Sequence, residues 1–444
     1  MADRQEKAPT AQETFSQMAQ AAGLRGRVLL TVGMLILVRL GIFLPIPGIN
    51  RESFNSFIQQ QNNVVLGFLD IFSGGGLTAL GIFALGILPY INASIIIQLL
   101  TAALPALEKL QKEEGEAGRR KISQITRYVA LGWAIVQSIG IALWVRPYAE
   151  VPGLPFVFEI VVALTAGSMF VMWIGELVTE RGIGNGASLL IFLSIVSSLP
   201  KSLGQTIEYA RINAEKGNNA IVGGVIILLA SFVAMIVGIV FVQEGIRRIP
   251  IISARRQVGR KTYLERNSYL PLRLNQGGVM PIIFASAVLI LPATLATQVI
   301  KNEAFSKFVA NYLSPGAANG WFYYVLYLLL ILFFSYFYAS LIVNPVDLAQ
   351  NLKKMGASIP GIRPGRATTE YIERVLNRLT FLGAVFLGLV AIIPTVVEGA
   401  TRVTTFQQGF GATSLLILVG VAIDTAKQVQ TYVISQRYEG MVKQ

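Results

Sequence analysis

Residues 81–100 read GIFALGILPYINASIIIQLL, twenty positions without a charged side chain. At about 1.5 Å rise per residue, a helix of this length spans the roughly 30 Å hydrocarbon core of a bilayer. Its polar members, Tyr90, Asn92, Ser94 and Gln98, are all neutral and can be satisfied within a helix bundle. A lipid-embedded helix is the reading, and the flanking sequence repeats the pattern.

Apolar runs bounded by charge, Gly or Pro predict ten spans: 28–44, 78–103, 122–145, 156–178, 188–206, 220–243, 279–298, 321–343, 379–397 and 410–430. The fifth is diluted by Ser194, Ser197, Ser198 and Pro200, and losing it would put the termini on opposite sides. The 444 residues are 53% hydrophobic and 14% charged. A soluble domain carries about 25% charged residues, and the mean hydropathy of +0.59 agrees that lipid is the main solvent. With no His and no Cys, imidazole proton shuttles, Ser-His-Asp triads, thiolate nucleophiles, disulfides and the usual zinc, haem or iron–sulfur ligand sets are excluded. No cofactor is expected and the chain does not read as an enzyme. The net charge of +13 suits acidic partners if the charges cluster on one side.

They do cluster. With the N-terminus inside, the inner segments hold 28 Lys and Arg and the outer loops 8, Arg39 lying within the first span. The positive-inside rule then places both termini in the cytoplasm. The first 27 residues carry Asp3, Glu6 and Glu13 and no small-residue cleavage pattern, so they read as neither a cleaved signal nor a transit peptide. The expected organisation is a cytoplasmic segment 1–27, a five-helix half 28–206, a second half 207–430 with cytoplasmic loops 244–276 and 345–378, and a cytoplasmic tail 431–444. An odd number of spans per half inverts one half against the other.

Between the first two spans, VVLGFLDIF is followed by Ser73-Gly74-Gly75-Gly76. The apolar piece is too short to cross a bilayer. Two readings stand: an outer loop touching the membrane surface, or a short helix folded back into the bundle on a glycine hinge.

Gly182-Ile183-Gly184-Asn185-Gly186 has the wrong spacing for a dinucleotide fingerprint, and the chain contains no GxxxxGK[ST]. It reads as a tight cytoplasmic turn. Few ionisable groups sit in apolar segments: Arg39 near the outer end of its helix, where it can snorkel, Glu176 near a cytoplasmic end, and Asp70 in the short apolar piece. An ion-coupled transporter keeps carboxylates near the midplane, which disfavours that class. From Arg247 to Arg273 eight basic residues face a single Glu265, and the next inner loop adds Lys353, Lys354, Arg363 and Arg366. Such loops set topology and touch lipid headgroups, or form a docking platform for RNA or an acidic protein.

The stretch 81–100 together with WIGELVTERGIGNGASLLI (173–191) resembles the two signatures of the bacterial SecY family, the channel subunits of the protein-export translocon. FLPIPGIN (43–50), GEAGRRKISQITRY (115–128), LPLRLNQGGVMP (270–281) and PGIRPG (360–365) resemble further segments of that family, in order along the whole chain.

The resemblance implies an all-α membrane protein, a clamshell of ten transmembrane helices in two inverted halves around a pore. It assigns the plug to 64–76, with Val64, Phe68, Asp70, Phe72, Gly74, Gly75 and Gly76. It puts Ile87, Ile91, Ala187, Ile191, Ile283 and Ile417 on the pore ring, where Ala187 departs from the family's large aliphatic residue. Asn92 and Gln137 fall near the lateral gate; interhelical hydrogen bonding is their other reading. Arg255, Arg256, Arg260, Lys261 and Arg363 become docking contacts for the SecA motor or the ribosome. SecE and SecG are implied as membrane companions, and unfolded preproteins and signal sequences as clients, in a bacterial plasma or thylakoid membrane. The implied function is passage of unfolded preproteins across the membrane, with sideways release of hydrophobic segments into lipid. A secondary transporter of a small solute is the alternative, and a membrane insertase without a pore a third class.

Overall fold

The computed structural model describes residues 22–46, 48–50, 54, 73–112, 115–151, 153–216, 219–253, 256–258, 261–263, 267–298, 303–313, 320–401 and 412–442. In chain order, α1 is Ala22–Ile42, α2 Gly76–Ala79, α3 Leu88–Ala103, α4 Pro105–Lys112, α5 Gly115–Val145, α6 Leu154–Arg181, α7 Gly186–Glu215 and α8 Asn219–Glu244. Strands β1 (Ile246–Ser253), β2 (Arg256–Val258), β3 (Lys261–Tyr263) and β4 (Asn267–Arg273) follow. Next come α9 (Met280–Gln298), α10 (Glu303–Tyr312), α11 (Gly320–Ile342), α12 (Pro345–Lys354), β5 (Ala357–Ser358), α13 (Arg366–Thr401) and α14 (Ala412–Val442). Each of the ten expected spans falls on a helix, and among the described residues six helices are long and apolar enough to cross a membrane by length and composition. Pro200 lies inside α7 without ending it, and this helix, which carries the fifth expected span, runs for 30 residues.

The second span departs from expectation at its start. Helix α3 begins at Leu88 rather than near 78, and its Pro89 sits in the first turn, where a missing N–H costs no helical bond. Upstream, the backbone bonds elsewhere: Ile46 N–H donates to the Leu80 carbonyl at 3.1 Å and Ile82 N–H to the Leu44 carbonyl at 2.9 Å. Groups used across to 44–46 cannot also close a helical ladder.

The chain divides into two compact units, Met1–Leu203 with Val421–Gln444, and Gly204–Gly420. In the first, α5 packs against α3, α4 and α6, and α1 against α6. Its core joins Phe54, Leu77, Leu80, Ile141, Val145, Ile160 and Leu164. Phe54 meets Trp144 and Tyr148 edge-on, with ring centroids 5.4 and 5.7 Å apart.

In the second unit α11 packs against α9 and α13, and α8 against α13. The basic stretch 244–276, read from sequence as a loop, carries an antiparallel sheet of order β4-β1-β5 and a separate β2-β3 ladder. The physical cause is alternation: Ile249 and Ile251 turn inward while Arg248 and Pro250 stay exposed, and on the paired strand Leu272 is buried between exposed Pro271 and Arg273. The inward face joins Leu352 of α12 and Ile372, Val375, Leu376 and Leu379 of α13 in a small hydrophobic core. Arginine density masked a period-two pattern.

Candidate functional site

Of the expected ring positions, Ile87, Ile91, Ile191, Ile283 and Ile417 are buried and Ala187 is half-buried. Ile87 caps α3, and its carbonyl accepts from Ile91 N–H at 3.1 Å, so the two side chains stand one turn apart. A Cβ built on Gly175 of α6 would lie 3.2 Å from Ile87 Cδ1 and 3.7 Å from Ala187 N, so these two positions meet at one groove of α6 within the first unit.

Four of the seven expected plug residues, Val64, Phe68, Asp70 and Phe72, lie outside the described residues. The glycines that follow are described. Gly74 and Gly75 hold φ of +67° and +88°, a region that side-chain-bearing residues seldom enter. A Cβ on Gly74 would stand 3.1–3.3 Å from Oγ, Cα and Cβ of Ser194 on α7. The buried Ser73 Oγ accepts from Leu77 N–H at 3.1 Å and starts α2. Arg39, expected to snorkel, instead donates Nη1–H to the Gly74 carbonyl at 2.6 Å, with its guanidinium carbon 5.0 Å from the Phe43 ring centroid. Beyond α2, Ser168 Oγ donates to the Gly86 carbonyl at 3.1 Å.

The glycine turn 182–186 is an interlock. Ile183 N–H donates to Thr31 Oγ1 of α1 at 3.0 Å, Gly184 N–H to Gln428 Oε1 of α14 at 2.8 Å, and Gly186 N–H to Thr179 Oγ1 of α6 at 2.8 Å. Asn185 Oδ1 accepts from Ala187 and Ser188 N–H at 3.1 and 3.4 Å, capping α7. The donors that would cradle a phosphate are thus used within the protein, which accounts for a glycine motif without nucleotide chemistry. Gly186 can stand here because a side chain would collide with the Gly175 carbonyl.

Asn92 and Gln137 are half-buried, and Gln137 Oε1 is buried without a hydrogen-bond partner among the described residues. Such an orphaned acceptor costs about 1–3 kcal/mol relative to a paired one. Glu176 accepts from Arg127 Nε–H at 2.8 Å, a bridge between α6 and α5 in which the carboxylate is the more enclosed partner. Sequence reading noted Glu176 but not its partner, because the two lie 49 residues apart.

Among the docking residues, Arg363 is exposed before α13, and its carbonyl accepts from Thr368 Oγ1 at 2.9 Å. Arg256 opens β2 and Lys261 opens β3; Arg255 and Arg260 lie outside the described residues. Arg247, Arg248, Lys353 and Lys354 are also exposed, and Arg248 stacks 4.9 Å over Tyr269 across the β1-β4 ladder. A stacked guanidinium keeps its donors outward while its face is covered.

A family model described as SecY matches residues 81–426. The protein translocase subunit SecY of Synechococcus elongatus is 72% identical over 439 residues, 98% of each chain. That of Synechocystis sp. is 68% identical over 446 residues, 99% of each chain. Among solved structures, one of a protein conducting channel aligns with a TM-score of 0.64 at 17% identity, over 91% of each chain. A structure described as showing that the plug domain of SecY stabilises the closed state of the translocation channel and maintains a membrane seal aligns with a TM-score of 0.64 at 16% identity, again over 91% of each chain. Sec61 in the canine ribosome-channel complex gives a TM-score of 0.61 at 16% identity over 91% of each chain.

Proposed function

This chain belongs to the SecY family and is a multi-pass membrane channel subunit of the Sec protein translocon, and from that premise we propose how its residues conduct a client. The identity of 72% over 98% of the chain to a named translocase subunit carries this reading and displaces the solute-transporter alternative. The substrate is an unfolded preprotein.

Ile87, Ile91, Ala187, Ile191, Ile283 and Ile417 form the apolar waist. An apolar constriction holds back ions by staying dry yet yields around a peptide, and β-branched side chains are stiff enough to define its width. Residues 64–76 form the plug, a reading supported by the left-handed glycines at 74 and 75 and by the sealing role described for the plug domain of a SecY structure. Asn92 and Gln137 line the lateral gate, through which hydrophobic segments leave for lipid. The Gln137 acceptor supports this role, being a buried polar atom without a partner among the described residues in a mostly apolar stretch of α5.

The chain performs no chemistry of its own; a SecA motor or a translating ribosome supplies the driving force, and SecE and SecG accompany it in the membrane. Arg255, Arg256, Arg260, Lys261 and Arg363 receive those partners, and the sheet that stiffens this region supports a docking role over topology alone. Both termini lie in the cytoplasm of a bacterial cell, with the chain in the plasma membrane or the thylakoid.

Proteoliposomes holding the full chain with its co-purifying subunits test the function. With SecA and ATP outside, an unfolded preprotein becomes protease-protected; protection that persists without SecA, or fails with every preprotein, would remove the reading.

A further inference from the structure

Helix α10 (Glu303–Tyr312) joins two apolar helices, α9 and α11, and packs against both. Three of its faces are rows at a spacing of four. Phe305, Val309 and Leu313 form the first, Leu313 extending the helix by an N–H bond of 2.9 Å to the Val309 carbonyl. Val309 is buried and the other two are half-buried, so this row turns into the protein. Lys307 and Asn311 form the second row, polar and exposed. The third is Phe308 and Tyr312, whose ring centroids lie 5.2 Å apart and whose side chains remain 50% and 37% exposed. A contiguous exposed apolar patch marks a contact surface.

What covers that row follows from its neighbours. Tyr312 meets Phe322 edge-on at 6.2 Å, and Phe322 meets Trp321 at 6.1 Å. Trp321 opens an exposed row, Trp321, Val325, Leu329 and Phe333, along α11, which is long and apolar enough to cross a membrane. Lipid is the solvent of that row. The aromatic pair of α10 continues it at the level of the span's first turn, where Trp and Tyr are favoured because one end of the ring is apolar and the other wet.

We propose that α10 is an interfacial helix, lying on the bilayer with Phe308 and Tyr312 immersed at the boundary of headgroups and acyl chains, Lys307 and Asn311 in water, and Val309 against the protein. Its partner is the lipid surface, and it ties the adjoining ends of α9 and α11 to that surface. Residues 303–313 hold one acidic and one basic residue, so the seating is apolar and does not select headgroup charge. Its placement in the outer leaflet rests on the N-in orientation.

The test uses the full chain with its co-purifying subunits, freed of any cysteines, in proteoliposomes. The chain has no cysteine of its own, so a nitroxide can be placed at single sites. Electron paramagnetic resonance power saturation compares oxygen, which partitions into lipid, with a water-soluble nickel chelate. At Phe308→Cys oxygen relaxes the label severalfold more than nickel does, and at Asn311→Cys nickel dominates. The contrast is the same in zwitterionic bilayers and in bilayers containing anionic lipid. Nickel dominating at both positions would show α10 standing in water. A Phe308→Cys label reached by neither reagent would show a protein partner or a second copy over this face. Either result overturns the proposal, as does immersion that appears only with anionic lipid. If the contrast holds but nickel added outside inverted vesicles reaches Asn311→Cys, the seating stands and the N-in reading falls. Where Phe308→Cys does not accumulate in the membrane, Tyr312→Cys carries the same comparison.

Discussion

At the scale of single residues, the departure at position 187 has a measurable consequence. The half-buried Ala187 and the Cδ1 of Ile87 both border Gly175, so a longer side chain at 187 would project from a crowded helix start. On the proposed ring, alanine leaves the waist three carbons short of isoleucine, and on the same reading the plug 64–76 makes up the seal. Removing 64–71 therefore opens an ion conductance in the resting channel, and adding Ala187→Ile to that deletion lowers it severalfold, because dewetting is steep in pore width. Equal currents from the two chains would show that residue 187 faces away from the pore. Much of this was legible in the sequence, since Ile87 and Ile91 are one turn apart by spacing alone. Arg39 was not: its position near a helix end pointed to snorkelling, whereas its partner is the carbonyl of Gly74, 35 residues away. Neither hydropathy nor period encodes a contact of that range.

Elements meet here through glycines, and the cost of a methyl group depends on which helix face it enters. A side chain at Gly186 would strike the Gly175 carbonyl where α7 crosses α6. Backbone cannot swing aside as a side chain can, and overpacking of this kind costs about 1–3 kcal/mol or more. Gly132 of α5 has nothing within 4 Å of its would-be Cβ. There Gly132→Ala gains helix propensity worth up to about 1 kcal/mol. Thermal unfolding in detergent should then show Gly186→Ala markedly less stable than the parent and Gly132→Ala equal or slightly more stable; the reverse order would contradict the close crossing. The sequence announced the glycine turn at 182–186 but not what it fastens, since Thr31 and Gln428 join it from chain-distant helices. It likewise concealed the sheet. In IRRIPIIS the inward Ile249 and Ile251 alternate as a strand should, yet the paired arginines and Pro250 weigh toward loop. Proline is tolerated because β5 pairs with β1 only at Ile252 and Ser253, leaving the Pro250 edge without a ladder bond to lose.

For the whole molecule, hydropathy marks the helices and charge bias carries their proposed direction, and the two rest on different physics. Apolar length decides where a helix can span, because unpaired backbone polar groups are intolerable in hydrocarbon; each of the ten expected spans accordingly falls on a helix. The proposed orientation rests on 28 basic residues in the segments assigned inside against 8 in those assigned outside, a bias imposed during insertion rather than by packing. The chain has no cysteine, so single reporters can be placed without background. Met355, 62% exposed after α12, and Val151, 77% exposed before α6, lie in segments assigned to opposite sides. With a membrane-impermeant maleimide, Val151→Cys should label on intact cells and Met355→Cys only in inverted vesicles or broken cells. Both substitutions fall on exposed side chains, so the packing is left intact and a failure to label reports sidedness rather than misfolding. Labelling of Met355→Cys from outside, or of both positions from one side, would break the ten-span, N-in arrangement. It would also remove the basic platform from the compartment where a motor or ribosome could reach it.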